Sequence, residues 1–477
     1  MQRSSGVLLP VFSLPSDYGI GSFGQGAFAF LDFLKSAGFS VWQTLPLCLP
    51  DEFHSPYKSF GAFSLNPYFI DLPTLREGGL LTAGELESAK QKTPYACEYE
   101  RLERERLPLL RKAAEHFDDW EKVTAFLDLH PETADFCRFM ALKEQNGGVP
   151  FWDFQEKTPD SELVRFWAFL QYQCYSQWQT VKKHAEDLGI SVIGDMPIYV
   201  AEDSADVYDY PENFELDKRY RPTAVAGVPP DYFSAEGQLW GNPLYDFSRM
   251  KKDGFAFWRR RAAFAKELFD GVRLDHFRAF ASYYRIEAGK SAKEGKFKKG
   301  PGMALIRALT ETAGEDFFIA EDLGDITEDV VALVKSSGFP SMRVLQFAFL
   351  GDPKSVHLPH NCGENTVYYT GTHDNNTLLG YVFEMPEAER RHLFAYCGFE
   401  GADWNTDAAY NAVFRTVFAT NSKLLLLPIQ DLLLYGNDTR INVPGRATGN
   451  WEYRVTKEQL KAISAEKFLT LNRRYGR

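Results

Sequence analysis

Strand-like apolar runs alternate with helical runs along the 477-residue chain, about eight strands can be counted, and four of them lead into a carboxylate. Together these observations predict an α/β fold, a (β/α)8 TIM barrel with helical and loop insertions between its strands. A bare barrel needs ~250 residues, so the remaining length belongs to the insertions. A doubly wound sheet would place ligands at a switch point and would leave more of the acid-tipped strands without a purpose.

The elements follow in order. Residues 7–12 read as the first strand, 25–36 as its helix and 39–46 as the second strand. The third, 191–196, comes too late for one crossover, because ordinary αβ connections are ~2–6 residues long. The intervening stretch has helical composition, as in ELESAKQK, YERLERERLPLLRKAAEHF and DFCRFMALKEQ, followed by a long aromatic-rich run over 161–187. Residues 73–189 are therefore expected to form a mainly helical inserted subdomain. A second excursion, 200–270, contains prolines and glycines over 227–243 that favour ordered loop over helix, and it should line the cleft. Residues 288–302 carry Lys290, Lys293, Lys296, Lys298 and Lys299 and read as a solvated, mobile loop. Further strands are expected at 271–274, 317–320, 342–347, 366–371 and 424–428, with a helix at 328–335. The whole chain, 1–477, reads as one barrel domain.

The acids sit where barrel enzymes keep their chemistry, at the C-terminal ends of strands. In Gly271-Val272-Arg273-Leu274-Asp275, period-two alternation puts Arg273 and Asp275 on one face. The arginine's charge should keep Asp275 ionised, as a nucleophile requires. Glu321 closes the apolar run 317–320, which should raise its pKa and suit it to general acid work. Asp195 ends a similar strand, and Asp374 follows another. A single acid at a strand end is most often a helix cap. Four in one chain point instead to one site, of the kind that breaks glycosidic bonds with paired carboxylates.

A formal net charge of −12 gives no electrostatic footprint for nucleic acid or an anionic membrane, and a neutral partner is the natural expectation. The six cysteines are scattered without a CxxC pair and read as reduced thiols of a cytoplasmic protein. No run of about 18 apolar residues occurs, and the N-terminal apolar stretch is too short and Pro-interrupted for a signal peptide. Gly19 to Gly24 matches GxGxxG but lacks the acid ~20 residues on that a dinucleotide site needs, so its glycines read as a tight βα turn close to the substrate. His357 and His360 flank Leu-Pro without an adjoining acid or thiol cluster, which makes structural or sugar-binding roles better than zinc. Aromatics make up 15% of the chain, and those in polar loops, Tyr57, Tyr68, Tyr232, Phe233 and Trp240, suit stacking on sugar rings.

Beyond these single features, the segments WQTLPL (42–47), SPYKSF (55–60), NPY (66–68), DMPIYV (195–200), the loop 227–243, RLDHFR (273–278), AEDLG (320–324) and GTHDN (371–375) follow one another in an order that resembles the amylomaltases. These are the 4-α-glucanotransferases, or disproportionating enzymes, of the α-amylase-like superfamily. The resemblance implies a transferase that moves α-1,4-glucan segments from a maltodextrin donor to another glucan or glucose by a retaining double displacement. It implies no cofactor and no metal. Asp275 would be the nucleophile, Glu321 the acid/base and Asp374 the transition-state stabiliser. Arg273, Asp195 and His373 would hold the donor sugar, and Tyr57, Asp231, Tyr232, Phe233, Trp240, Asn242 and Asn361 would contact substrate, with the Tyr68 patch near them. The chain resembles the short bacterial form without an added starch-binding domain. Residues 48–54 and Arg446-Ala447-Thr448 depart from the family pattern, away from the acids, so chain-length preference rather than chemistry should differ. The alternatives are an α-amylase-type hydrolase and a non-catalytic glucan-binding protein.

Overall fold

A computed structural model of the chain describes residues 3–230, 236–324, 326–446 and 448–477. The described strands are β1 (Ser4–Leu8), β2 (Val41–Gln43), β3 (Ser191–Met196), β4 (Ala224–Val228), β5 (Gln238–Pro243), β6 (Gly271–Leu274), β7 (Ser282–Glu287), β8 (Lys296–Lys299), β9 (Phe318–Ala320), β10 (Ser341–Val344), β11 (Thr366–Tyr369) and β12 (Leu424–Pro428). Eight of them close into a barrel in the order β1-β12-β11-β10-β9-β6-β3-β2. Every neighbouring pair in that barrel is parallel. The (β/α)8 barrel expected from the sequence is the fold.

Side chains alternate across the barrel wall, as the period of a strand requires. Val7, Trp42, Val192, Val272, Leu274, Phe318, Tyr368, Leu425 and Leu427 belong to the large core shared with the helices. Leu8, Val41, Ile193, Ile319, Met342, Val344, Val367, Tyr369, Leu424 and Leu426 form a separate buried cluster inside the barrel. Strand β6 adds no apolar residue to that inner cluster; the alternate position between Val272 and Leu274 is Arg273. Outside the wall, Trp42 packs between Phe30 (5.5 Å) and Trp178 (5.8 Å), and its indole N–H donates to the Leu9 carbonyl at 2.8 Å. A buried side chain of Phe size is worth ~1.5–3 kcal/mol. The helices Gln25–Ser36 and Ser161–Leu188, which carry Phe30 and Trp178, are thereby fixed to β2.

Residues 44–190, between β2 and β3, hold the helices Leu72–Glu77, Ala83–Ser88, Tyr99–Glu115, Trp120–Leu129, Pro131–Gln145 and Ser161–Leu188. The last starts where the Asp160 side chain accepts from the N–H groups of Glu162 and Leu163, and stops at Gly189, whose left-handed backbone (φ 71°) turns the chain into β3.

Several segments differ from expectation, among them the second strand, which narrows to Val41–Gln43, and the expected strand 342–347, whose residues Leu345–Phe347 coil into a 3-10 turn. The first strand stops at Leu8 rather than residue 12, because Pro10 brings no N–H to a ladder and residues Val11–Ser13 coil into a 3-10 turn. The stretch 227–243, expected as ordered loop, contains parts of β4 and β5, which pair antiparallel. Residues 288–302, expected as a mobile loop, contain β8. It pairs antiparallel with β7, with the partly exposed Phe297 ring 5.0 Å from Tyr284 and the lysines exposed. These strands make a second sheet in the order β5-β4-β7-β8. No helix among the described residues is long and apolar enough to cross a membrane.

Candidate active site

The acids gather because barrel register sets them side by side. Asp195 on β3 pairs directly with Arg273 on β6, and Leu274 pairs with Ala320 on β9, so the next residues, Asp275 and Glu321, leave neighbouring strands at the same level. The backbone N–H of Asp275 donates to the Met196 carbonyl and that of Glu321 to the Leu274 carbonyl, which carries the ladder one step past the strands.

Arg273 is the hub. Its Nε and Nη2 donate to Oδ2 of Asp195 at 2.9 and 2.7 Å, and Nη2 also donates to Oδ1 of Asp275 at 2.9 Å and to the Tyr57 hydroxyl at 3.2 Å. The Tyr57 hydroxyl in turn donates to Asp195 at 2.6 Å. Burial opposes the Arg273 charge, but Asp195 and the neighbouring anions outweigh it and hold the guanidinium firmly protonated. The Asp195 side chain is fully covered, whereas that of Asp275 keeps 26% of its surface open. The arginine and its partner thus form the base of the site, and Asp275 is within reach of a ligand.

The Arg273 charge favours the Asp275 carboxylate, in the expected direction, but it does not act alone. Burial pushes the carboxyl up to about 6, and the arginine only offsets part of that rise. Asp275 is still predominantly an anion at neutral pH. Glu321 behaves as its apolar setting foretold: burial, assisted by the Asp275 charge, pushes it up to about 8. Its two oxygens accept from the backbone N–H groups of His276 and Leu323, each at 2.8 Å. His276 takes a left-handed backbone (φ 47°) to aim that N–H. Burial pushes the His276 imidazole down to about 3, which keeps it neutral.

Asp374 enters from the loop after β11. Burial opposes its ionisation, but the adjacent His373, whose Nε2 lies 3.2 Å away, and the Asn442 amide at 2.6 Å hold its carboxyl well below the usual range. The ring of His373 stacks on Tyr57 at 5.1 Å and 14°. Trp451 lies 5.8 Å from Tyr57 and 6.0 Å from His373. Its carbonyl accepts from the Tyr99 hydroxyl at 2.8 Å, and the Tyr99 ring stacks on His54 at 3.9 Å. The Tyr57 loop is therefore tied at both sides. Among the described residues no group of three or more His, Cys, Asp or Glu could hold a metal ion.

The family model described as 4-alpha-glucanotransferase matches residues 9–460. The chain belongs to the 4-alpha-glucanotransferase family. It is 40% identical to the 4-alpha-glucanotransferase of Streptococcus pneumoniae over 497 residues, covering 100% of this chain and 98% of that protein. With the Thermus thermophilus 4-alpha-glucanotransferase it shares 41% identity over 484 residues, 96% of each. The solved amylomaltase of Streptococcus agalactiae, in complex with acarbose, superposes with a TM-score of 0.95 at 35% identity and full coverage of both chains.

In this member of the 4-alpha-glucanotransferase family, Asp275, Glu321, Asp374, Arg273, Asp195, His373 and Tyr57 come together as described. Trp240 stands beside them, its ring 4.9 Å from His276. Asn242 is turned inward, its amide donating to the Val200 carbonyl at 2.9 Å, so it buttresses the segment after β3. Asn361 donates to Ser355 in its own exposed loop at 3.0 Å rather than to any of these residues. Tyr68 is buried in the core, because Asn66 caps the turn beneath it and turns the ring inward. Asp231, Tyr232 and Phe233 lie outside the described residues, as does Ala447.

The two histidines set aside as metal ligands have structural partners: His357 Nδ1 accepts from the Val344 N–H at 3.2 Å, and His360 contacts the Tyr396 hydroxyl at 2.8 Å. Gly24 of the GxGxxG match is needed for packing, since a Cβ there would fall 2.1 Å from the Asp71 carboxyl. Four residues at the site escaped the sequence reading: His276, Asn442, Trp451 and Tyr99. His276 and Trp451 stood inside or beside quoted motifs, whereas nothing local marks Asn442 or Tyr99.

Proposed function

We propose that this chain, a 4-alpha-glucanotransferase, moves α-1,4-glucan segments between maltodextrins by a retaining double displacement. Glu321 protonates the leaving glycosidic oxygen while Asp275 attacks the anomeric carbon, giving a covalent glycosyl-enzyme. Glu321, now a base, takes the proton from the 4-hydroxyl of a second glucan or glucose, which attacks the same carbon and releases Asp275. Asp374 stabilises the positive charge that develops on the sugar ring between the two states. Arg273, His373 and Tyr57 hold the donor sugar, the covered Asp195 fixes Arg273 and Tyr57 from beneath, and Trp240 stands on the acceptor side.

One observation carries this reading: Asp275 and Glu321 leave neighbouring strands at the same level, Asp275 held by Arg273 at 2.9 Å and Glu321 buried where its carboxyl is pushed up. Such a pair can hold one anion and one proton at the same neutral pH, as a nucleophile and a general acid must. The third acid, Asp374, is held as an anion throughout and exposes 46% of its side chain. That suits a stabiliser better than a proton carrier. Acarbose in the related streptococcal structure supports a saccharide ligand. The cysteines, all six free, support a reducing cytoplasmic setting.

Incubation with maltotriose tests the reaction. Glucose and longer maltodextrins should accumulate while the number of reducing ends stays constant. A rise in reducing ends would identify a hydrolase instead, and binding without turnover would identify a glucan-binding protein.

A further inference from the structure

The loop that carries His373 and Asp374 is held from below by a carboxylate that takes no part in the proposed chemistry. Strand β11 ends at Tyr369, and the helix Leu378–Glu384 begins eight residues beyond Thr370. Asp431, in the short helix Ile429–Leu433 that follows β12, reaches both ends of this loop. Its Oδ2 accepts from the Thr370 hydroxyl, and its Oδ1 accepts from the Leu378 backbone N–H at 2.7 Å. Thr370, Leu378 and Asp431 are each 0% exposed, so water cannot replace either bond. On the other side Gln346 donates to the Asn376 carbonyl at 2.6 Å. Within the loop the Asn375 side chain accepts from both the N–H and the hydroxyl of Thr372 at 2.9 Å.

A carboxylate with no cation among its charge partners is costly to bury. Its two oxygens accept from two donors at once, and here the donors lie at opposite ends of one loop. We infer that Asp431 is a positioning residue, a clasp that closes the loop 371–377 and fixes the pose in which His373 and Asp374 meet the substrate. This rests on the reading of Asp374 as the transition-state stabiliser. Without the clasp Asp374 would still be present but displaced, and a misplacement of ~1 Å can cost ~10²-fold in rate.

The test is a kinetic series on full-length protein with maltotriose, each variant checked by thermal melting. Asp431→Ala should lower kcat at least about tenfold with KM within about threefold. Asp431→Asn should restore most of kcat, because its amide accepts from Leu378 and donates to the Thr370 oxygen. Adding Asp431→Ala to Asp374→Asn should slow the reaction by less than it slows the parent, since only the part that acts through His373 remains. If Asp431→Ala fails to melt cooperatively, Thr370→Val, which removes one of the two ties, should still lower kcat about threefold or more. An Asp431→Ala protein with lowered Tm but unchanged kcat overturns the inference, as does unchanged kcat in Thr370→Val. Normal activity in Asp374→Asn overturns the reading of Asp374 and the clasp with it. Loss in Asp374→Asn beside normal rates in the Asp431 and Thr370 variants overturns the clasp alone.

Discussion

The backbone N–H of His276 donates to Oε2 of Glu321 at 2.8 Å, from a residue whose φ of 47° is uncommon for anything but glycine. This donor and the Leu323 N–H favour the charged carboxylate, yet burial wins and pushes the Glu321 carboxyl up to about 8. The bond orients the acid without ionising it.

The activity should therefore follow a bell in pH. Asp275 must lose its proton, so kcat/KM rises as pH climbs through about 6, and Glu321 must keep its proton, so kcat/KM falls as pH passes about 8. The two limbs belong to the interacting pair rather than to either residue alone. A rate profile on maltotriose from about pH 4 to 10 checks this, and a flat profile would contradict it.

Removing the reacting groups should separate chemistry from stability. Asp275→Asn should abolish transfer with the fold intact, and Glu321→Gln should cost ~10²–10⁴ in rate. The folded protein binds a proton at Glu321 more tightly than the unfolded chain does, so this carboxyl lowers stability increasingly as pH rises through the window up to about 8. Glu321→Gln should accordingly melt higher than the parent at pH 8, by ~1–4 °C, with the gap closing toward pH 5. Differential scanning calorimetry at the two pH values decides it.

Arg273→Met leaves Asp195 buried with no countercharge and removes the cation beside Asp275. Breaking such a pair costs ~3–5 kcal/mol, so the melting temperature should drop and transfer should be lost. Any residual activity should show its acid limb shifted upward from about 6, because the offset to burial is gone. An unshifted limb would remove Arg273 from the control of Asp275.

Tyr57→Phe deletes the hydroxyl between Asp195 and Arg273 but keeps the ring on His373. It should lower stability by ~1–3 kcal/mol, the cost of leaving a buried polar partner unmet, and lower kcat/KM as the donor site loosens. Tyr57→Ala loses the stack as well and should cost more. Equal kinetics for the two variants would mean that the ring contributes nothing.

Strands β3 and β12 could be read residue for residue: β12 is an apolar run closed by Pro428, and β3 is a short run bounded by Gly189 and Pro197. The acids at β3, β6 and β9 were visible for the same reason: strand alternation fixes which residues share a face. The burial that opposes Asp275 ionisation was not legible, because sequence shows its neighbour Arg273 but not how deeply the pair sinks into the barrel. Asn442 stands 68 residues from Asp374 and reaches it only because the segment after β12 folds back over the barrel.

Strand β8 forms one open edge of the second sheet, and three of its four residues, Lys296, Lys298 and Lys299, are exposed lysines. Two molecules meeting along that edge would press rows of ammonium groups together before any backbone pairing could form. A stretch that reads in sequence as mere surface charge thus sets like charges along a sheet edge, where they oppose pairing with a second edge.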